Sequence, residues 1–299
     1  MTTTTIQQDL YPTRTGDEPG APFDREHRTV WGSVEDGPFG SEELDAHAKR
    51  GFSILPEFIS GEEIELYSSE LRRLSADPEL EGDPRVVAEK STGAVRTVFE
   101  VTKLSEAIDA LSRDPRVLDR ARQLLGSEVY LHQTRVNYMP GFKGSGFYWH
   151  SDFETWHAED GMPLPRAVSC SIALTPNYPY NGGLMVMPGS HLTYAPGVGE
   201  TPADNHASSL KEQKVGVPSE EAVTQMAHRY GIDQFTGPAG SALWFDSNIM
   251  HGSGNNITPF PRSNVFMVFN SVENTLGDPY AAPAPRPEYI ASRDFSPLR

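Results

Sequence analysis

The chain has almost no cysteine: one residue, Cys170, in 299. A disulfide framework and a cysteine-built metal site within one chain are therefore excluded. Cys170 lies inside the apolar run VSCSIAL and is expected to be a buried, inert thiol. Long apolar runs are lacking too. No window approaches the roughly 20 residues a membrane span needs, and the start, MTTTTIQQDLYP, has neither a basic beginning nor an apolar centre. A cytoplasmic protein without a membrane partner is expected. Positive charge is scarce, with 25 Lys and Arg against 41 Asp and Glu and a formal net charge of −16. Such a surface repels phosphate backbones, and no basic cluster creates a local exception, so no nucleic-acid partner is expected. Internal repeats and long polar linkers are missing, which leaves one domain with a sizeable core. We expect residues 1–40 to form an extended N-terminal arm and 41–299 a single domain. Within the arm, TRTGDEPGAPFDRE (13–26) has no periodicity and reads as extended or mobile.

What is present falls into two unlike halves. SEELDAHAKRGF reads as a helix capped by Ser41 and stopped at Gly51. SGEEIELYSSELRRLSAD starts with Ser60 and Glu63 at capping-box spacing. LSEAIDALSRDPRVLDRARQLLG splits into two helices at Asp114 and Pro115 and ends at Gly126. After Gly126 the pattern turns to strands. EVYLHQTRVNY alternates, with Val129, Leu131, Gln133, Arg135 and Asn137 on one side, and that side becomes polar midway, as the wall of a wet cavity would. GFYWHSD, AVSCSIAL, GGLMVMP, SALWFD and NVFMVFNS follow as short strands between Gly, Pro and Asn clusters, with one late helix at SEEAVTQMAHRYG. Helices followed by many short strands indicate an α+β chain: a double-stranded β-helix (jelly-roll, cupin-like) core with N-terminal and flanking helices.

The stretch WHSDFETWHAEDGMP concentrates the chemistry. On a strand, His150 and Asp152 would project from one face, an imidazole nitrogen and a carboxylate oxygen able to share a cation. His251, in DSNIMHGSGNN, is the candidate third ligand. Two histidines and one carboxylate with open positions suit a non-haem Fe(II) oxygenase. A lone HxD is a weak signal, and Arg262 in HGSGNNITPFPR strengthens it by offering a planar fork for a carboxylate. His157, Glu154, Glu159 and Asp160 read as loop hydrogen-bonding and capping residues, and His191 as structural. The polar segment 197–218 reads as a cover over the site.

HSD, the distal HGSG with Arg262, GFSILPEFIS at 51–60 and NGGLMVMPGSH at 181–191 together resemble the phytanoyl-CoA dioxygenase superfamily of Fe(II)- and 2-oxoglutarate-dependent oxygenases. The unbroken run FYWHSDFETWHAEDGMPLPRAVS and the tail PRPEYIASRDF are similar to its ectoine hydroxylase family. The resemblance implies an enzyme in which His150, Asp152 and His251 hold Fe(II), with 2-oxoglutarate as cosubstrate and O2 as oxidant. It implies Arg262 on the distal carboxylate of 2-oxoglutarate, with Asn137 and Phe147 lining that pocket. For ectoine as substrate it implies Gln133, Trp156, Phe269 and Arg286 as contacts, Trp156 giving a π-face to the amidinium and Arg286 a cation to the carboxylate. It also implies a homodimer. The alternatives are a hydroxylase of another small amino or imino acid, and a metal- or ligand-binding jelly roll without turnover.

Overall fold

The structure is a computed structural model that describes residues 9–16, 18, 20–89, 92–210 and 215–299. Its frame is a seven-stranded antiparallel sheet in the order Phe52–Leu55, Ala242–Asp246, Ala167–Ala173, Arg262–Ser271, Val129–Met139, Val95–Phe99 and Val86–Ala88. A four-stranded sheet, in the order Asp233–Gln234, Leu184–Val186, His251–Ser253 and Phe147–His150, faces it. Leu184 and Val186 of the smaller sheet pack in one apolar cluster with Leu243, Phe245, Phe266 and Val268 of the larger. This is the expected jelly roll, with its site between the sheets.

The central strand Ala167–Ala173 shows why this frame holds. Every residue of it is buried. Val168, Cys170 and Ile172 join the cluster beneath the helices, while Ser169 and Ser171 alternate onto the other side. Cys170 is fully buried, and burial pushes its thiol well above the ordinary range. The helix layer covers the outer face of the large sheet. Ile108, Leu111, Val117, Leu118, Ala121 and Leu124, on helices Glu106–Arg113 and Pro115–Leu125, lie against Val265, Met267 and Phe269 in one core.

Most helix boundaries follow their local signals. Ser60 Oγ accepts from the Glu63 N–H at 3.2 Å while Glu63 accepts from the Ser60 N–H at 2.8 Å, which closes the capping box. Asp114 caps the helix that begins at Pro115, and Gly126 ends it in the left-handed conformation. At the first helix the cap moves by one residue. Ser41 is already helical, and Gly40 is the cap, its N–H donating to Glu43 Oε2 at 2.8 Å.

The long strand Val129–Met139 departs from simple alternation. Gln133 pairs with Val268 but Leu131 pairs with Phe269, so His132 is an extra residue, a β-bulge. Beyond it the faces exchange: Gln133, Arg135 and Asn137 line the space between the sheets, whereas Leu131 and Val129 belong to the helix-side core. The expected grouping of all five on one side is corrected by that one residue. The N-terminal arm is extended and tied down over its described part, with Phe23 and Asp24 pairing with Tyr194 and Thr193. Tyr11 is 2% exposed, and Arg25 pairs with Asp246 at 2.8 Å. In the segment expected to cover the site, residues 211–214 lie outside the described residues. Val198 and Val217 pair through their backbones on either side of them.

His47 makes the fold sensitive to acid. Burial, joined by His191 and opposed by Asp246, lowers its imidazole to about 4. Because the folded value lies below that of the unfolded chain, the unfolded state binds more protons between roughly pH 6.5 and 4. This contribution is complete above that window and falls by roughly 3 kcal/mol as pH drops through it. Urea midpoints measured from pH 7 to 4.5 should fall, and less steeply for His47→Gln. Parallel profiles for the two proteins would refute the assignment.

Candidate active site

The three candidate ligands meet by a route the strand reading only partly anticipates. His150 and His251 are direct cross-strand partners, so both imidazoles stand on one face, their ring centroids 4.2 Å apart. Asp152 is not on that strand. The strand ends at His150, Ser151 precedes a helical turn, and Asp152 is its first residue. The turn swings the carboxylate back beneath the rings. Oδ1 lies 3.6 Å from His150 Nε2 and Oδ2 lies 3.9 Å from His251 Nε2. One ligand atom from each residue lies within 4.8 Å of the others.

The hydrogen bonds orient these groups toward a cation. His150 Nδ1 lies 2.8 Å from the Tyr148 carbonyl, and His251 Nδ1 lies 3.0 Å from the Ile249 carbonyl. A carbonyl can only accept, so Nδ1 carries the proton in each ring and Nε2 presents its lone pair inward. Burial, with the neighbouring His150 adding to it, lowers His251 to about 4, which keeps it neutral at ordinary pH. Burial alone would raise Asp152. His251, His150 and Arg135 outweigh it and hold the carboxyl well below the usual range. Asp152 Oδ2 is buried with no hydrogen-bond partner. Two imidazole nitrogens, an ionised carboxylate and an orphaned oxygen converge on one point, and Fe(II) fits that donor set.

The triad opens into a cavity of about 190 Å³. Asn137, Phe147 and Arg262, expected around the cosubstrate, all line it. Arg262 Nε is buried without a hydrogen-bond partner among the described residues, and its Nη2 donates to Met139 Sδ at 3.8 Å. Burial, with Arg96 adding repulsion, lowers its guanidinium to about 10. Beside it runs a polar chain across four strands: Thr97 donates to Asn137, Asn137 to Asn264, and Asn264 to Ser171. Arg135 lines the same cavity and has no role in the sequence reading. Its guanidinium carbon lies 3.9 Å from the centre of the Phe266 ring, and burial lowers it to about 10 against the pull of Asp152. Arg96 and Arg286 also line the cavity but are paired with Glu89 and Asp160. Among the described residues Arg135 and Arg262, both half-buried, make no ion pair, so two cations lining the cavity are free for a dianion such as 2-oxoglutarate.

The proposed substrate contacts separate. Trp156 and Gln133 line the cavity, Trp156 meeting His132 edge-on at 4.9 Å and Gln133 donating from Nε2 to the Ile290 carbonyl at 2.7 Å. Gln133 Oε1 accepts from Arg135. Arg286 lines the cavity, yet Asp160 takes its Nε and Nη2 at 2.8 and 2.6 Å, so a substrate carboxylate would share the guanidinium. Phe269 is corrected: it is fully buried in the helix-side core, stacked on Trp244 at 6.2 Å. Strand parity explains this. With Arg262 turned into the cavity, Asn264 and Phe266 follow it, while odd-numbered Phe269 points the other way. Phe266 supplies the wall expected of Phe269. The residues expected to shape a loop after Asp152 instead form a π-helical turn, Trp156–Asp160, and Glu154 and Glu159 carry buried ion pairs.

Comparison with known proteins places this site. The profile of the phytanoyl-CoA dioxygenase (PhyH) family matches residues 48–264. A protein of Nocardia farcinica named ectoine dioxygenase is 64% identical over 97% of this chain and 95% of its own. One of the same name from Streptomyces coelicolor is 56% identical over 100% and 99%. The crystal structure of EctD from S. alaskensis with 2-oxoglutarate and 5-hydroxyectoine matches with a TM-score of 0.88 and 42% identity over 98% of both chains. The form with bound Fe matches with a TM-score of 0.85 and 41% identity, again over 98% of both. On the sequence and the fold alike, the chain belongs to the phytanoyl-CoA dioxygenase family, in its ectoine dioxygenase branch.

Proposed function

We propose that this protein is an ectoine 5-hydroxylase, which converts ectoine, 2-oxoglutarate and O2 to 5-hydroxyectoine, succinate and CO2. One oxygen atom of O2 enters the hydroxyl and the other enters succinate, so the equation balances without a further reductant. The observation that carries the reading is a single cavity holding three things: the His150, Asp152 and His251 donor set, two arginines that make no ion pair among the described residues, and Trp156. The relative crystallised with 2-oxoglutarate and 5-hydroxyectoine supports the choice of cosubstrate and substrate.

His150, Asp152 and His251 hold Fe(II), which when bound supplies O2 activation coupled to oxidative decarboxylation. The protein's own residues bind and aim. The Arg262 fork takes the distal carboxylate of 2-oxoglutarate and positions its 2-oxo-acid end toward the triad, with Asn137 and Phe147 beside it. Arg135 adds a second cation near Asp152. Trp156 presents its ring to the delocalised amidinium of ectoine, and Gln133 offers an amide to the polar groups of the substrate. Arg286, already neutralised by Asp160, favours a carboxylate less strongly than a free cation would. The buried walls exclude bulk water from the reacting carbon. No helix among the described residues is long and apolar enough to cross a membrane. Because the reaction draws on a metabolite of the cell interior, we place the enzyme in the cytoplasm.

Anaerobic reconstitution with Fe(II), followed by addition of 2-oxoglutarate, O2 and ectoine, should give succinate and 5-hydroxyectoine in equal amounts. Absence of ectoine-dependent succinate defeats the reading, and turnover of proline in place of ectoine selects another imino-acid hydroxylase. Trp156→Ala should raise KM for ectoine by about 30-fold, the loss of a desolvated cation–π contact worth about 2 kcal/mol, while 2-oxoglutarate affinity changes little. An unchanged KM would remove Trp156 from the substrate site.

A further inference from the structure

We propose that Arg14, in the N-terminal arm, is a positioning residue for substrate binding: it bridges Glu154 and Glu159 on either side of Trp156 in sequence and ties that helix to residues 197–210, which also reach the cavity. This rests on the reading of the cavity as the ectoine site. Arg14 lies outside the segment that matches the family profile, and its side chain is fully buried.

Every nitrogen of the guanidinium donates. Nε and Nη2 each donate to a Glu154 carboxylate oxygen at 2.9 Å, and Nη1 donates to Glu159 at 2.7 Å and to Thr201 Oγ1 at 2.8 Å. Thr13 Oγ1 donates to Glu154 at 2.6 Å, and Asn205 Nδ2 donates to Glu159 at 2.8 Å. Burial would lower Arg14, but the two carboxylates outweigh it and hold it above its ordinary value. Two buried carboxylates five residues apart would repel each other and resist desolvation without this cation. They flank Trp156 on the helical segment that Asp152 opens, so their placement sets the placement of the ring.

The same residues grip the second wall. The Arg14 N–H donates to the Gly197 carbonyl at 3.1 Å, and the Gly197 N–H donates to Thr13 Oγ1 at 2.8 Å. Gly216 stacks against the guanidinium so closely that a Cβ there would fall 2.1 Å from Nη2. Thr201 and Asn205 lead into the short helix His206–Ser209, and Ser209 and Leu210 line the cavity that Thr155 and Trp156 also line. Arg14 itself has a φ of 53°, a left-handed conformation that a non-glycine residue holds only where its surroundings fix it. One side chain thus couples the arm, the Trp156 helix and the segment after Gly197.

The test separates substrate positioning from general stability. Full-length Arg14→Met and Arg14→Lys are compared with the parent by steady-state kinetics and by titrating the charge-transfer absorbance that Fe(II) and 2-oxoglutarate develop together. Arg14→Met should raise KM for ectoine by about tenfold or more, leave the 2-oxoglutarate titration within about twofold, and increase the share of 2-oxoglutarate consumed without hydroxylation. Arg14→Lys keeps the charge but cannot span both carboxylates, and it should fall between parent and Met. If Arg14→Met does not fold, Arg14→Lys carries the test by the same readouts. An unchanged ectoine KM in the folded variants, or ectoine and 2-oxoglutarate weakened in equal proportion, overturns the proposal. Failure of the parent to turn over ectoine is a different result and defeats the functional reading instead.

Discussion

Ectoine-dependent succinate formation by His150→Ala is expected to fall by about three orders of magnitude or more, equivalent to about 4 kcal/mol of lost transition-state stabilisation. The fold should survive. His150 ends a strand whose pairing with His251–Ser253 is made by backbone groups, and its ring touches chiefly His251 and Phe147. The loss therefore falls on metal binding, because one imidazole and one carboxylate no longer enclose a cation on three sides. With iron absent, the thermal midpoint of the variant should match that of the parent. Retained turnover would remove His150 from the ligand set, and unfolding of the metal-free variant would give it a structural role.

Arg262→Leu is expected to move two quantities in opposite directions. Apparent affinity for 2-oxoglutarate should weaken by about 100-fold or more, since removing one partner of a desolvated charge pair costs about 2–5 kcal/mol. The protein without ligands should become no less stable, and by melting temperature more stable. Among the described residues its buried Nε has no hydrogen-bond partner and its Nη2 donates to a thioether, so the cation bears a desolvation cost that a bound anion repays. A calorimetric titration with 2-oxoglutarate and a thermal melt without it measure the two. Loss of stability together with loss of affinity would mark Arg262 as a core residue.

Much of the fold was legible because its signals are local. The capping box at Ser60, the Asp114–Pro115 start and the Gly126 stop act within one turn, and the structure reproduces them. The chemical core of the site was legible as residue types at a spacing: His150 and His251 pair across two strands, and Arg262 reaches the same cavity. What escaped notice depends on geometry that spacing does not encode. The extra residue at His132 reverses the faces of a strand midway, and no turn residue marks it. Phe269 is different, because the parity of its strand counted from Arg262 already assigned it to the outer face. Arg14 escaped because its partners lie 140 and 145 residues away. A polar, proline-rich arm gives no local sign that one of its charges is destined for the interior.

The π-helical turn at Trp156–Asp160 fixes the length of its segment as well as its shape. In a regular α-helix, residues five apart point about 140° away from each other, which would carry Glu154 and Glu159 to different sides. Here the Gly161 N–H reaches back five residues to the Trp156 carbonyl, and the widened turn brings the two carboxylates onto one guanidinium. Substitution of one residue for another leaves that phase intact. Loss or gain of a single residue does not, because it would rotate one carboxylate away from Arg14. Between Asp152 and Gly161 the chain is therefore held to an invariant count, in the way a gear is held to its number of teeth.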